Sequence, residues 1–94
     1  MNPLVSIITP AYNAGGYLDS FFLSVLEQDY DNYEMIIVND GSTDDTEDKI
    51  LSYKKLFECR GIRFVYLNQE NGGQARALNS AFPHIRGEYF IWPD

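Results

Sequence analysis

The sequence holds a single cysteine, Cys59, among 94 residues. An internal disulfide is therefore excluded, which suits a reducing compartment. Cys59 reads as a small residue near a helix end. There is also only one histidine, His84. It has no cysteine near it, so zinc-ligand spacing and Ser-His-Asp or Cys-His constellations are absent. His84 reads as a surface or helix-end residue. No apolar run approaches the ~20 residues that a membrane span requires. Met1-Asn2-Pro3 lacks the basic start and apolar middle of a signal peptide. Basic residues are scarce: 7 Lys and Arg stand against 14 Asp and Glu, a net charge of −7. That balance argues against nucleic acid and against anionic membrane surfaces, both of which reward positive charge.

What is present is an ordinary globular composition, 45% apolar and 15% aromatic. The length allows one small domain, residues 1–94, and no more. Four short apolar runs recur: Leu4 to Ile8 ended by Thr9-Pro10, Met35 to Val38, Ile62 to Leu67, and Tyr89 to Trp92. Unbroken apolar runs, rather than strict alternation, predict parallel strands covered on both faces. Arg63 places the third run at a sheet edge. Helical patterns fill the gaps. Leu18, Phe21, Phe22, Val25 and Leu26 form one stripe at i, i+3, i+4, i+7 and i+8. A second helix is predicted from Asp44 to about Phe57, with Ile50, Tyr53 and Phe57 inward and Asp44 as N-cap ahead of Glu47. A third is predicted through Ala75, Leu78 and Phe82, ending near Pro83.

The order β-α-β-α-β-α-β predicts an α/β fold, with helices on both faces of a parallel sheet. Right-handed crossovers favour the strand order 3-2-1-4. Ligands bind such sheets beyond the carboxyl ends of the strands, at the point where the order reverses. Thr9 to Asn13, Asn39 to Thr43, Asn68 to Arg76, and Asp94 are therefore the segments expected to carry chemistry. The fourth strand would have one neighbour and one bare apolar edge. The chain is thus expected to be an amino-terminal piece of a longer domain, or to associate with a second copy through that edge.

Asp40 sits where a ligand would lie and can accept a bond from a base N–H or a ribose hydroxyl. It can equally cap a turn through local backbone N–H groups. Asn71-Gly72-Gly73 opens the third helix, whose N-terminus attracts anions, and Arg76 could reach a phosphate. Tyr12 could pack on a nucleobase, but its residue type favours a core position slightly. Asp94 alone makes no metal site, although an acidic protein holding a diphosphate needs a cation.

Taken together, Val5 to Asn13, Val38 to Asp44, Asn71 to Asn79, and Gly87-Glu88-Tyr89 leading to Asp94 resemble the family 2 glycosyltransferases. Four motifs stand in order along essentially the whole chain. The resemblance implies a Rossmann-like glycosyltransferase A fold, here its nucleotide-sugar-binding part. It implies that Pro10, Ala11, Tyr12 and Asn13 hold the base together with Asp40, followed by Gly41 and Ser42. On the phosphate side Gly73 stands at the opening of the third helix, and Arg76 would substitute from a neighbouring position for the family's helix arginine. Asn39 replaces the first acid of the family's Asp-Asp-Gly-Ser motif, and Leu78 stands where many relatives carry an arginine. Asp94 looks like the first acid of an Asp-x-Asp motif that meets ribose and a divalent cation, Mn2+ or Mg2+. The implied reaction is inverting transfer from a nucleotide-diphosphate sugar, a UDP-sugar foremost, to a carbohydrate or lipid-linked acceptor. The second acid and the catalytic base are expected after residue 94, which would leave the isolated piece inactive. The implied location is cytoplasmic, with tethering to a membrane by later segments in some relatives.

Other classes fit less well. A receiver-like module would need its acids after the first and third strands. A nucleotidyltransferase would show a basic Gly-rich loop after the first strand, and Ala14-Gly15-Gly16 has no nearby Lys or Arg. A non-catalytic binding module of the same fold stays open.

Overall fold

The computed structural model describes residues 3–91. The elements alternate as read: β1 (Val5–Ala11), α1 (Leu18–Leu26), β2 (Tyr33–Asp40), α2 (Thr46–Cys59), β3 (Phe64–Gln69), α3 (Gln74–Ala81), a 3-10 turn at Phe82–His84, and β4 (Tyr89–Ile91). All pairings are parallel and the sheet order is β3-β2-β1-β4. β3 is an edge strand, as Arg63 suggested.

Every residue of β2 is buried. Its side chains alternate between two layers, as strand geometry demands. Met35 and Ile37 join Leu18, Phe22, Ile50 and Phe57 beneath α1 and α2. Ile36 and Val38 join Ile8, Ala77 and Ala81 beneath α3. The sheet is therefore covered on both faces. Phe22 forms the centre of the first layer, with ring centroids 4.8 Å from Tyr53, 5.7 Å from Phe57 and 6.0 Å from Phe64.

α3 differs from its expected face. Ala77 and Ala81 are its buried residues, with Leu78 packed beside them. Ala75 is exposed, and Phe82 is 43% exposed at the start of the 3-10 turn. Two alanines four residues apart let the helix lie close to the sheet, which larger side chains would prevent. Phe82 instead rests on Phe90 of β4, centroids 5.8 Å apart.

Strand ends also differ. β1 continues through Thr9 and Pro10 to Ala11, which lies opposite Asn39. The described pairing of β1 with β4 reaches only Ile7 opposite Ile91. β2 and β3 run on into polar residues, where Asn39 faces Asn68 and Asp40 faces Gln69. An apolar-run reading stops at the last hydrophobic residue. The ladder does not, because polar side chains at the carboxyl edge find partners. The N-cap of α2 is Asp45, whose side chain makes no capping bond. Asp44, one residue earlier, accepts from the Thr46 N–H at 3.0 Å and does the capping work expected of it from outside the helix.

At the opposite end of the sheet Glu34 is 1% exposed. Its carboxylate accepts from Ser6 Oγ at 2.6 Å and from the Arg86 N–H at 2.8 Å, and it pairs with Arg63. The Gly87 N–H donates to Ser6 Oγ at 3.0 Å. Burial alone would push the Glu34 carboxyl up. The bonds from Ser6, Arg86 and Arg63 outweigh it and hold the group below its ordinary value. This cluster ties β1, β2, the approach to β3 and the turn into β4. Tyr89, Phe90 and Ile91 are 63%, 54% and 50% exposed, and among the described residues β4 pairs only with β1. No described helix is long and apolar enough to cross a membrane.

Candidate functional site

The loops after β1, β2 and β3 meet at the carboxyl end of the sheet and are laced together. Asn13 has φ +46, a left-handed conformation that asparagine tolerates. Its N–H donates to Ser42 Oγ at 2.9 Å, and its Oδ1 accepts from the Thr43 N–H at 2.8 Å. The Ala14 N–H donates to Thr46 Oγ1 at 2.8 Å, and the Gly15 N–H to Asp44 Oδ2 at 3.1 Å. The first loop is thus fixed to the second by four bonds to polar side chains.

Asp40 joins the second loop to the third. It is 5% exposed at the end of β2. Oδ1 accepts from Gln69 Nε2 at 2.9 Å and from the Gly72 N–H at 2.8 Å. Oδ2 accepts from the Gly73 N–H at 3.0 Å. The Asp40 carbonyl accepts from Asn71 Nδ2 at 3.1 Å. The capping reading is therefore corrected in one respect: the backbone donors are not local but lie on the loop opening α3. The Gln69 bond, then the Gly72 and Gly73 N–H groups and the nearby Arg76 charge, hold the carboxyl below its ordinary value despite its burial.

Gly41 follows with φ +71, and a Cβ there would stand 2.6 Å from the Asn71 backbone nitrogen. Only glycine fits both demands. Gly73, with φ +91, is the N-cap of α3. The Arg76 side chain folds over Gly72 and is exposed, and its guanidinium makes no hydrogen bond or ion pair among the described residues.

Pro10, Ala11, Tyr12, Tyr17, Asp40 and Gln74 line a polar cleft of about 160 Å³. Tyr12 is 53% exposed in it, which overturns the slight preference for a core aromatic. The apolar layer is already filled by Phe22, Phe57 and their neighbours, and Tyr12 lies past the end of β1. The structure thus brings Pro10, Ala11, Tyr12 and Asp40 to one cleft, with Asn13, Gly41, Ser42 and Gly73 in the loops that shape it. Asp94 lies outside the described residues. Among the described residues no three His, Cys, Asp or Glu side chains group to hold a metal ion. Tyr17 lies outside the segments expected to carry chemistry, and Gln69 and Gln74 lie within Asn68 to Arg76 without having been singled out. Gln69 was legible only as part of a loop, because its role depends on β3 pairing with β2. A larger apolar cavity of about 610 Å³ lies between α1 and the β1–β4 edge and contains none of these residues.

A sheet of this order with these three loops is the α/β architecture of glycosyltransferases of the A type. The described fold superposes on a mannosyltransferase of Pyrobaculum calidifontis, solved with GDP-Man and Mn2+, with a TM-score of 0.84 and 28% identity. That match covers 94% of this chain and 26% of the other. It also superposes on S. aureus TarS 1-349 in complex with UDP-GlcNAc, with a TM-score of 0.83 and 26% identity over 96% of this chain and 26% of the other. The model of glycosyl transferase family 2 matches residues 6–94, and the chain belongs to that family. TuaG of Bacillus subtilis, a glycosyltransferase assigned to teichuronic acid biosynthesis, is 47% identical over 92 residues, which is 98% of this chain and 35% of TuaG. An uncharacterized glycosyltransferase of Rickettsia prowazekii is 46% identical over 97% of this chain and 26% of its own length. The chain thus spans about a quarter to a third of these relatives.

Proposed function

We propose that the protein transfers a sugar from a nucleoside diphosphate sugar to an acceptor hydroxyl with inversion, and that residues 1–94 hold the donor nucleotide. The observation that carries this reading is the Asp40 carboxylate. It is buried, held ionised, and lines the same cleft as the exposed Tyr12 ring. Of its roughly four acceptor positions three are filled by Gln69, Gly72 and Gly73, which leaves one on Oδ2. A base edge that presents an N–H, as uracil does at N3, meets that position, and the Tyr12 ring offers a stacking face. Pro10, Ala11 and Asn13 hold the wall behind the base, and Gly41 and Ser42 the turn beside it. Gly73 at the N-terminus of α3 and Arg76, unpaired among the described residues, face the diphosphate side, where negative charge grows as the sugar leaves.

In the reaction the acceptor oxygen forms a bond to the anomeric carbon. The bond from that carbon to the phosphate oxygen breaks, and its electron pair leaves on the nucleoside diphosphate. The proton of the acceptor hydroxyl passes to a carboxylate acting as general base. The described residues do not form a cation site, so Mn2+ or Mg2+ enters this reading through Asp94 alone, and one carboxylate does not hold a cation. The TarS complex with UDP-GlcNAc and the P. calidifontis complex with GDP-Man support a nucleotide-sugar donor. Isothermal calorimetry with UDP, GDP and dTDP, each with and without Mn2+, tests the reading on the full-length protein. Binding of one of them is expected, UDP foremost. Failure to bind any of the three refutes it.

A further inference from the structure

Gln69 belongs to none of the four motifs, yet it bonds the acid on which the proposed donor site depends. Its Nε2 donates to Asp40 Oδ1 at 2.9 Å. Its Oε1 lies 2.7 Å from Ser80 Oγ on α3, which donates to it. The amide has one workable orientation. Turned over, its oxygen would face the carboxylate and its NH2 would face the hydroxyl. An anion cannot accept from a carbonyl, so the charge on Asp40 selects the orientation; the Ser80 hydroxyl, which lies 3.1 Å from the Arg76 carbonyl as well, answers it as the donor to Oε1. The chain Ser80–Gln69–Asp40 therefore runs from the second turn of α3, across the end of β3, to the end of β2.

We infer that Gln69, braced by Ser80, is a positioning residue for donor binding: it turns the Asp40 carboxylate so that Oδ1 is consumed by the protein and the open acceptor position on Oδ2 is left for the base. Three facts support this. Oδ1 takes both Gln69 and the Gly72 N–H, while Oδ2 takes only the Gly73 N–H. Asp40 faces Gln69 in register at the last pair of the β2–β3 ladder, so the amide needs no loop to place it. Gln69 is also the leading reason that the carboxyl sits below its ordinary value. The charged neighbour is Arg76 on α3, and the titratable groups in the cleft are the phenols of Tyr12 and Tyr17. Without Gln69 the carboxylate would keep only its bonds to two N–H groups of an exposed loop, and could rotate.

The inference rests on the proposed donor-nucleotide site, and the experiment separates the two. Gln69→Leu and the milder Ser80→Ala are made in the full-length protein. UDP and inorganic pyrophosphate are titrated with Mn2+ present, and the Asp40 carboxyl is followed by carbon NMR against pH with no ligand. Loss of one well-oriented bond to a charged group predicts UDP binding weakened about tenfold in Gln69→Leu and severalfold in Ser80→Ala. Pyrophosphate, which has no base, binds as before. The Asp40 titration moves upward in Gln69→Leu and less in Ser80→Ala, and the loss for UDP but not for pyrophosphate is the readout that a merely structural role would not produce. UDP affinity within twofold of the parent, equal loss for pyrophosphate, or an unmoved Asp40 titration overturns the inference. Absence of UDP binding by the parent protein overturns the donor-site reading instead, and the NMR arm still decides whether Gln69 governs Asp40.

Discussion

Replacing Asp40 by asparagine changes one atom and tests both the fold and the site. The amide can be inserted in two ways. With NH2 at the Oδ1 position it would confront two donors, Gln69 Nε2 and the Gly72 N–H. With NH2 at the Oδ2 position it confronts one, the Gly73 N–H at 3.0 Å. The second arrangement costs less, so one bond is lost and the other two lose their charge assistance. A lost bond to a charged group is worth about 1.5–3 kcal/mol, and neutral bonds are about half as strong as charged ones. Gly72 and Gly73 are exposed, so their N–H groups can turn to water and recover part of this. The net cost is about 2 kcal/mol, a fall in melting temperature on the order of 10 °C for a domain of this size. Because the folded-state carboxyl lies below its ordinary value, its stabilisation is complete above the unfolded pKa. It is lost as pH falls through the lower folded value. The gap between Asp40→Asn and the parent should therefore be full at neutral pH and narrow in acid. The arrangement that costs the fold least also puts a donor where the base needs an acceptor, so UDP affinity should fall at least tenfold. Thermal melting across pH and calorimetry read the two effects separately. A variant that melts within about 2 °C of the parent at neutral pH would refute the account of the loop bonds. Unchanged UDP affinity would refute the site.

Two further substitutions probe the frame. Glu34→Gln should destabilise by about 3 kcal/mol, the low end for breaking a buried pair, because Arg63 is 31% exposed and can rehydrate. Its folded carboxyl is also depressed, so urea unfolding of the parent should show that increment at neutral pH and lose it in acid; equal midpoints for parent and variant at neutral pH would contradict the assignment. Gly41→Ala should cost about 2 kcal/mol from the left-handed backbone alone. Because its Cβ would press on Asn71, the variant should also bind UDP more weakly, and a variant indistinguishable by melting and calorimetry would remove the argument for the close approach.

Much of the fold was legible in the chain itself. Leu18, Phe21, Phe22, Val25 and Leu26 state their helix face directly, since a 3.6-residue period leaves one way to bury them. The apolar runs around Ile7 and Ile36, with helical patterns between them, imply a parallel sheet, and crossover handedness does the rest. The misreadings have a common cause. Leu78 packs on the core as its period implies, but Ala75 and Phe82 stay exposed, because steric fit under α3 puts Ala77 and Ala81 against the sheet. Tyr12 has the character of a core residue and lies outside the core because that layer is full.

For the site, residue types and order were enough to mark Pro10 to Asn13, Asp40 and the Asn71-Gly72-Gly73 loop, since turn chemistry and strand ends are local properties. The pattern of bonds was not local. That Asp40 answers to Gly72, Gly73 and Gln69, 29 to 33 residues away, follows from β3 lying beside β2. The same holds for the Asn13 bonds to Ser42 and Thr43 and for the Glu34 cluster. Hydrophobic period and chain handedness are written in short windows of sequence. Which polar group satisfies which, and so which acceptor is left for a ligand, is decided only when the strands are brought side by side.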